Sequence, residues 1–255
     1  MNRTHPLNSM ARFSLPGVLL LATIADSRAG PPLAIDDPGI LDPGQWEFIL
    51  AVDGVDFEFA KAYNLPIVDV SYGVTENSQL SFSLPRIQTH PAGGEKQSGL
   101  GFASIGYKWR FFSNGTTDWA IAPSYNFPAS HQVIQKGGPE DIRALAVPLL
   151  YSRSMGNWTA LGQLGFNLGS DGSQAWDFGV ALTHPLGSRT ELMIEVYGVA
   201  DSSFNYETLN YHIGLDYAFV EDFHLLASYG SQLKAGSELA ERLNFNFYLG
   251  LQWFY

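Results

Sequence analysis

The sequence predicts an all-β protein, a transmembrane antiparallel up-and-down β-barrel of about 12 strands. Three observations lead to this fold class: a C-terminal segment in which every second residue is apolar, an alternation of long and short connections, and an N-terminal segment typical of a secretory signal. Only 15% of the 255 residues are charged and 14% are aromatic, which suits a sheet whose outer face meets lipid. The chain has no cysteine, so disulfides, thiolate metal sites and thiol nucleophiles are excluded.

Residues 1–29 are typical of a signal peptide. Arg3 and Arg12 supply positive charge around a short apolar segment, and small residues flank a cleavage point after Ala29; Met1 and Met10 are alternative starts. The apolar segment is too short to cross a bilayer as a helix, and no later apolar run approaches the roughly 18 residues that such a helix needs. Because lipid accepts only helices and closed sheets, insertion into a membrane requires a barrel.

Residues 30–44 are rich in proline and glycine, and we expect an irregular periplasmic lead or a partial plug. Residues 45–255 are predicted to form the barrel, because they contain segments with a period of two, the pattern of a strand with two unlike faces. In chain order these segments are 45–52, 61–72, 77–84, 99–112, 117–127, 141–153, 157–168, 174–183, 189–198, 208–219, 223–231 and 243–255.

The connections between these segments alternate in length. The longer ones are 53–60, 85–98, 128–140, 169–173, 199–207 and 232–242, and the shorter ones are 73–76, 113–116, 154–156, 184–188 and 220–222. Outer-membrane barrels have long outer loops and short periplasmic turns, so this order predicts that both chain ends face the periplasm. Tyrosine and tryptophan concentrate near the segment ends, as expected for two interfacial girdles.

Three stretches of the first half carry a family likeness. They are IDDPGILDPGQWEF (Ile35–Phe48), LPIVDVSYGVTENSQLSFSLP (Leu65–Pro85) and SGLGFASIGYKWRFF (Ser98–Phe112). Together they resemble the outer-membrane transporters of the meta-pathway phenol-degradation family, although Phe102 stands where that family's pattern has an acidic residue. The resemblance implies an outer-membrane barrel that passes small, often aromatic or hydrophobic compounds.

Ionisable side chains predicted to point inward are the candidates for lining the lumen. They are Glu47, Asp69, Lys108, Arg110, Asp177, Glu191, Glu195, His212, Asp216 and His224. Two interpretations stay open: a constriction with charges of both signs, or a salt-bridged filler in which Lys108 and Arg110 pair with Glu47 and Asp69. Removal of residues 1–29 leaves 11 basic and 24 acidic side chains, an excess that favours cations or neutral solutes over anions.

The working function is passive, channel-type transport of small molecules, and two rivals belong to other classes. One is a closed structural or adhesive barrel that acts through its outer loops. The other is an outer-membrane hydrolase using Asp216, His224 and Ser228. Ser228 lies four residues from His224, roughly 13 Å along a strand at about 3.3 Å per residue, which is beyond hydrogen-bond reach, so we predict that the protein is not an enzyme.

The predicted surroundings follow from the same pattern. We expect contacts with the lipid bilayer and lipopolysaccharide, recognition of the C-terminal strand by the barrel-assembly machinery, and a small-molecule solute in the lumen. The sequence has no basic footprint for nucleic acid. We assign no cofactor and no metal, since the spacing of Asp36, Asp37 and Asp42 matches no calcium loop.

Overall fold

The computed structural model describes residues 32–91, 94–130, 142–204, 207–236 and 242–255. The predicted signal peptide and its cleavage point lie outside these ranges. Within them the chain forms 14 strands: β1 (Trp46–Phe57), β2 (Ala60–Thr75), β3 (Ser78–Pro91), β4 (Gln97–Leu100), β5 (Phe102–Ser113), β6 (Thr117–Ile121), β7 (Ser124–Pro128), β8 (Ala144–Met155), β9 (Trp158–Gly169), β10 (Gln174–Pro185), β11 (Thr190–Asp201), β12 (Glu207–Val220), β13 (Phe223–Lys234) and β14 (Leu243–Phe254).

The sheet closes on itself. Each strand pairs with its neighbours in antiparallel fashion, and β14 returns to β1 with Leu251 opposite Leu50. β4 and β5 form one barrel strand interrupted at Gly101, and β6 and β7 form another interrupted at Ala122 and Pro123. Pro123 has no N–H to donate to the sheet, so a break is expected there. Counted in this way the barrel has 12 strands, and the predicted fold class is confirmed.

Two predicted outer loops are shorter than the sequence indicated. β1 runs to Phe57 and β2 begins at Ala60, so the predicted connection 53–60 shrinks to residues 58 and 59. Similarly, β3 continues to Pro91, well into the predicted connection 85–98. Polar cross-strand contacts extend the first hairpin: Asn64 Nδ2 donates to Asp53 Oδ1 (2.8 Å), and Lys61 pairs with Asp56. These residues lack the apolar alternation on which the prediction depended.

The outward face of the barrel is apolar. Its exposed side chains include Leu50, Val68, Ile105, Leu164, Val180, Ile194, Ile213 and Leu249. Aromatic pairs lie close to strand ends, with ring centroids 4.6 Å apart for Trp46 and Tyr72 and 4.7 Å apart for Trp119 and Tyr151. An exposed apolar belt with aromatic residues near strand ends is the outer surface that a barrel presents to lipid.

No helix in the described ranges is long and apolar enough to cross a membrane.

Candidate functional site

Residues 32–42, hereafter the inserted segment, lie inside the barrel. The segment contacts inward-facing side chains from β3, β5, β9 and β11, strands on different sides of a closed wall. Its apolar residues Leu33 and Ile35 pack against Ala181 and Met193, with partly buried Leu161 and Tyr197 beside them. Of the two interpretations of this lead, the contacts support the plug.

Two glycines of the wall make room for the inserted segment. A Cβ atom at Gly179 of β10 would overlap Cγ2 of Ile35, and one at Gly214 of β12 would stand 3.2 Å from Pro32 and 3.3 Å from Leu33. Glycine therefore lets the segment approach the wall closely. The start of the segment thus packs on β10 and β12, and its later residues continue to β5 and β3.

Glu195 of β11 holds the backbone of the inserted segment. Its carboxylate accepts hydrogen bonds from the amide of Ala34 (2.6 Å to Oε1) and from the amide of Ile35 (3.2 Å to Oε2). His212 Nδ1 lies 2.7 Å from Oε1 of the same carboxylate, and Glu195 is only 1% exposed. The predicted candidates Glu195 and His212 thus form a buried contact that positions the segment.

Lys108 of β5 holds the other side of the inserted segment. Its ammonium group donates to Asp36 Oδ1 and to the carbonyl oxygen of Asp37, each at 2.8 Å. This ion pair joins Lys108 to the N-terminal lead, whereas the sequence suggested Glu47 and Asp69 as its partners. The sequence did not indicate Asp36 as a site residue, because it lies in the irregular lead, where no strand period shows which side chains face the lumen.

A cavity of about 440 Å³ lies between residues 36–41 of the inserted segment and the barrel wall, with lining residues on β1–β3, β5, β7, β8 and β11–β14. Its lining includes six of the ten predicted residues: Glu47, Asp69, Lys108, Glu191, Asp216 and His224. These six lie near the barrel rim that carries Trp46 and Tyr255, hereafter the lower rim, which we expect to face the periplasm. The structure therefore brings together most of the charges that the sequence placed on separate strands.

Besides Glu195 and His212, two candidates do not line the cavity, namely Asp177 and Arg110. Asp177 accepts hydrogen bonds from Gln163 Nε2 (2.5 Å) and Asn167 Nδ2 (2.6 Å) on β9. Arg110 donates to the carbonyl oxygen of Glu76 (2.9 Å) in the turn between β2 and β3. Arg110 thus joins β5 to the turn between β2 and β3 at the lower rim.

The side chains suggested for a hydrolase are not assembled. His224 Nδ1 lies 2.8 Å from Asp216 Oδ1, but its Nε2 lies 3.0 Å from the carbonyl oxygen of Glu221. Both ring nitrogens thus have oxygen neighbours, and neither of these neighbours is a serine hydroxyl. Within the described residues the Ser228 hydroxyl makes no hydrogen bond. His224 and Asp216 instead form a hydrogen-bonded pair in the cavity wall.

No protein-family model matches the sequence, and comparison with curated protein sequences gives no match either. Solved structures are similar in fold. An outer membrane channel from Pseudomonas putida F1 gives a TM-score of 0.68 at 14% identity, covering 89% of this chain and 100% of that one. The KdgM porin gives 0.58 and the NanC porin 0.57, each at 8% identity over 81% of this chain and 98% of theirs.

These similarities agree with the closed sheet, the apolar outer face and the polar interior. They do not decide membership of the meta-pathway family, which stays a prediction from the three sequence stretches. The chain has the fold of a bacterial outer-membrane β-barrel channel.

Proposed function

We propose that the protein is an outer-membrane channel through which small molecules pass without an energy source. The observation that carries this proposal is the cavity of about 440 Å³, lined by charged and hydroxyl side chains, inside a barrel whose outer face is apolar. A barrel interior that serves only as a packed core is filled by side chains, whereas a polar, unfilled interior suits water and solutes. The structural likeness to channels and porins supports the same function.

The inserted segment sets the expected size of this channel. It packs on β10 and β11 through Leu33 and Ile35 and reaches β5 through Asp36, and the cavity lies beside residues 36–41. Solutes would pass beside the segment while it stays in place. We therefore expect a narrow channel with a small conductance.

The surroundings of the barrel belong to the same proposal. The apolar outward face would contact the bilayer and lipopolysaccharide. The C-terminal strand β14, which closes the barrel against β1, would be the strand that the barrel-assembly machinery recognises.

The idea that solutes are hydrophobic or aromatic comes from the family resemblance. The ring of Phe254, which lines the cavity, offers one apolar surface for such solutes.

Single-channel recording in a planar bilayer tests the proposal. The refolded mature chain should give small, stable conductance steps, and a variant that lacks residues 32–41 should give larger ones because the lumen is then clear. Folding of both proteins is checked by the change in electrophoretic mobility between unheated and boiled samples. Absence of conductance steps from both folded proteins would contradict the proposal and favour a closed structural or adhesive barrel.

A further inference from the structure

The cavity lining contains two kinds of polar side chain. Five are serines on β2, β3, β5 and β7, namely Ser71, Ser81, Ser83, Ser104 and Ser124. These short side chains leave space and offer both hydrogen-bond donors and acceptors. They suit neutral polar groups of either kind, so any selection by charge must come from the ionisable side chains.

The charges around the cavity are mostly negative. Six acidic side chains line it, against one lysine, Lys108, and one histidine, His224. Lys108 pairs with Asp36, and His224 Nδ1 lies against Asp216, each at 2.8 Å. The acidic side chains of the lining therefore outnumber its basic side chains by six to two.

Two of these carboxylates are bonded to neutral donors. In the described part of the chain Glu47 accepts from Gln252 Nε2 at 2.6 Å, and Glu191 accepts from the Thr183 hydroxyl at 2.5 Å. The two residues stand on different strands, β1 and β11, and both line the cavity. These hydrogen bonds fix the two side chains in place, and their donors, an amide and a hydroxyl, carry no positive charge.

We propose that the channel selects small cations, inorganic ions and organic amines alike, and that Glu47 and Glu191 determine this selectivity. The inference rests on the proposed function. Charges of one sign in a cleft with walls of low dielectric concentrate counter-ions and exclude ions of the same sign. A permeating cation supplies the positive charge that the lining lacks. An aromatic amine is one solute that is both a cation and an aromatic compound of the kind that the family resemblance implies.

The test is the reversal potential of the mature chain in a planar bilayer under a KCl gradient. We expect a preference for K⁺ over Cl⁻ of roughly tenfold, the lower end of the concentration effect of a cleft with one sign of charge. The double variant Glu47→Gln with Glu191→Gln keeps the side-chain shapes and removes two charges, so its permeability ratio should fall toward one.

Asp171→Asn is the matched control. Asp171 lies in the connection 170–173 between β9 and β10, outside the cavity lining, where the hydroxyl and amide of Ser173 donate to it and hold the pKa of its carboxyl below the usual range. Removing this charge should leave the permeability ratio unchanged.

Three results would separate the inference from the function on which it rests. A folded protein without conductance would overturn the channel itself. Conductance without a cation preference would overturn only the inference. A cation preference that survives Glu47→Gln with Glu191→Gln would also overturn it, because the selectivity would then arise elsewhere.

Discussion

Glu195 accepts a hydrogen bond from the backbone amide of Ile35 at 3.2 Å, although the two residues are 160 positions apart in the sequence. The same carboxylate accepts from the amide of Ala34 and lies beside His212 Nδ1. A strand residue in the barrel wall thus supplies an acceptor for two donors that would otherwise be buried without one. This contact fixes the depth to which the inserted segment enters the lumen.

We expect Glu195→Ala to loosen the inserted segment. Each buried donor left without a partner costs about 1–3 kcal/mol, and 1.4 kcal/mol is roughly tenfold in an equilibrium. The chain has no cysteine, so Ala34→Cys introduces a single thiol at the segment. In the Glu195→Ala background a water-soluble maleimide should label this thiol about tenfold faster or more, and mean conductance should rise.

The control for this prediction is Glu207→Ala. Glu207 is a glutamate at the start of β12 that pairs with Lys234 and does not contact the inserted segment. Its removal should change neither labelling nor conductance. Equal labelling rates in the parent and in Glu195→Ala would show that the remaining contacts, those of Leu33, Ile35 and Asp36, hold the segment without Glu195.

Gly179→Val should displace the inserted segment by steric overlap. The new side chain would collide with Ile35, and inserting extra methyl groups into a packed site costs about 1–3 kcal/mol. Conductance should therefore increase. Adding Ile35→Ala to Gly179→Val removes the opposing side chain and should return the conductance toward that of the parent.

Gly162→Val provides the matched control for steric overlap, because a Cβ atom there meets Tyr151 only at an ordinary 3.7 Å. It should fold and conduct like the parent. If adding Ile35→Ala did not return the conductance of the Gly179→Val protein toward that of the parent, the steric overlap would lie in the barrel wall itself. A Cβ atom at Gly179 also approaches Cβ of Tyr197 at 3.0 Å.

Leu164→Lys should destabilise the barrel in lipid far more than Leu186→Lys. Leu164 stands at the middle of β9 and is 48% exposed, whereas Leu186 is 56% exposed in the turn between β10 and β11. A lysine facing lipid at the bilayer midplane costs about 2–4 kcal/mol, and one near the interface about 0–1 kcal/mol. Reversible urea unfolding in phospholipid vesicles measures the free energy of unfolding of both variants. Equal decreases in the two variants would contradict a lipid-facing position of Leu164 on β9.

The sequence determined the strands of this protein. Alternation of apolar and polar residues is a local property of each strand, so segments such as 174–183 and 243–255 were located nearly residue by residue, and the strand count followed from them. Within segment 157–168 the structure has Leu164 exposed and its neighbour Gln163 buried, as a period of two requires. Its limit is visible at Asp53 to Asp56, where polar contacts with Asn64 and Lys61 extend the hairpin without an apolar pattern.

Only the tertiary structure decided what fills the lumen. The sequence named Lys108 and Glu195 as inward-facing but could not pair them with Asp36 and Ile35, which lie 72 and 160 residues away. Such contacts depend on the closure of the sheet, which brings distant strands around one interior and leaves gaps at Gly179 and Gly214. No local period encodes them, because they arise between a segment without regular structure and a wall that exists only once β14 has met β1.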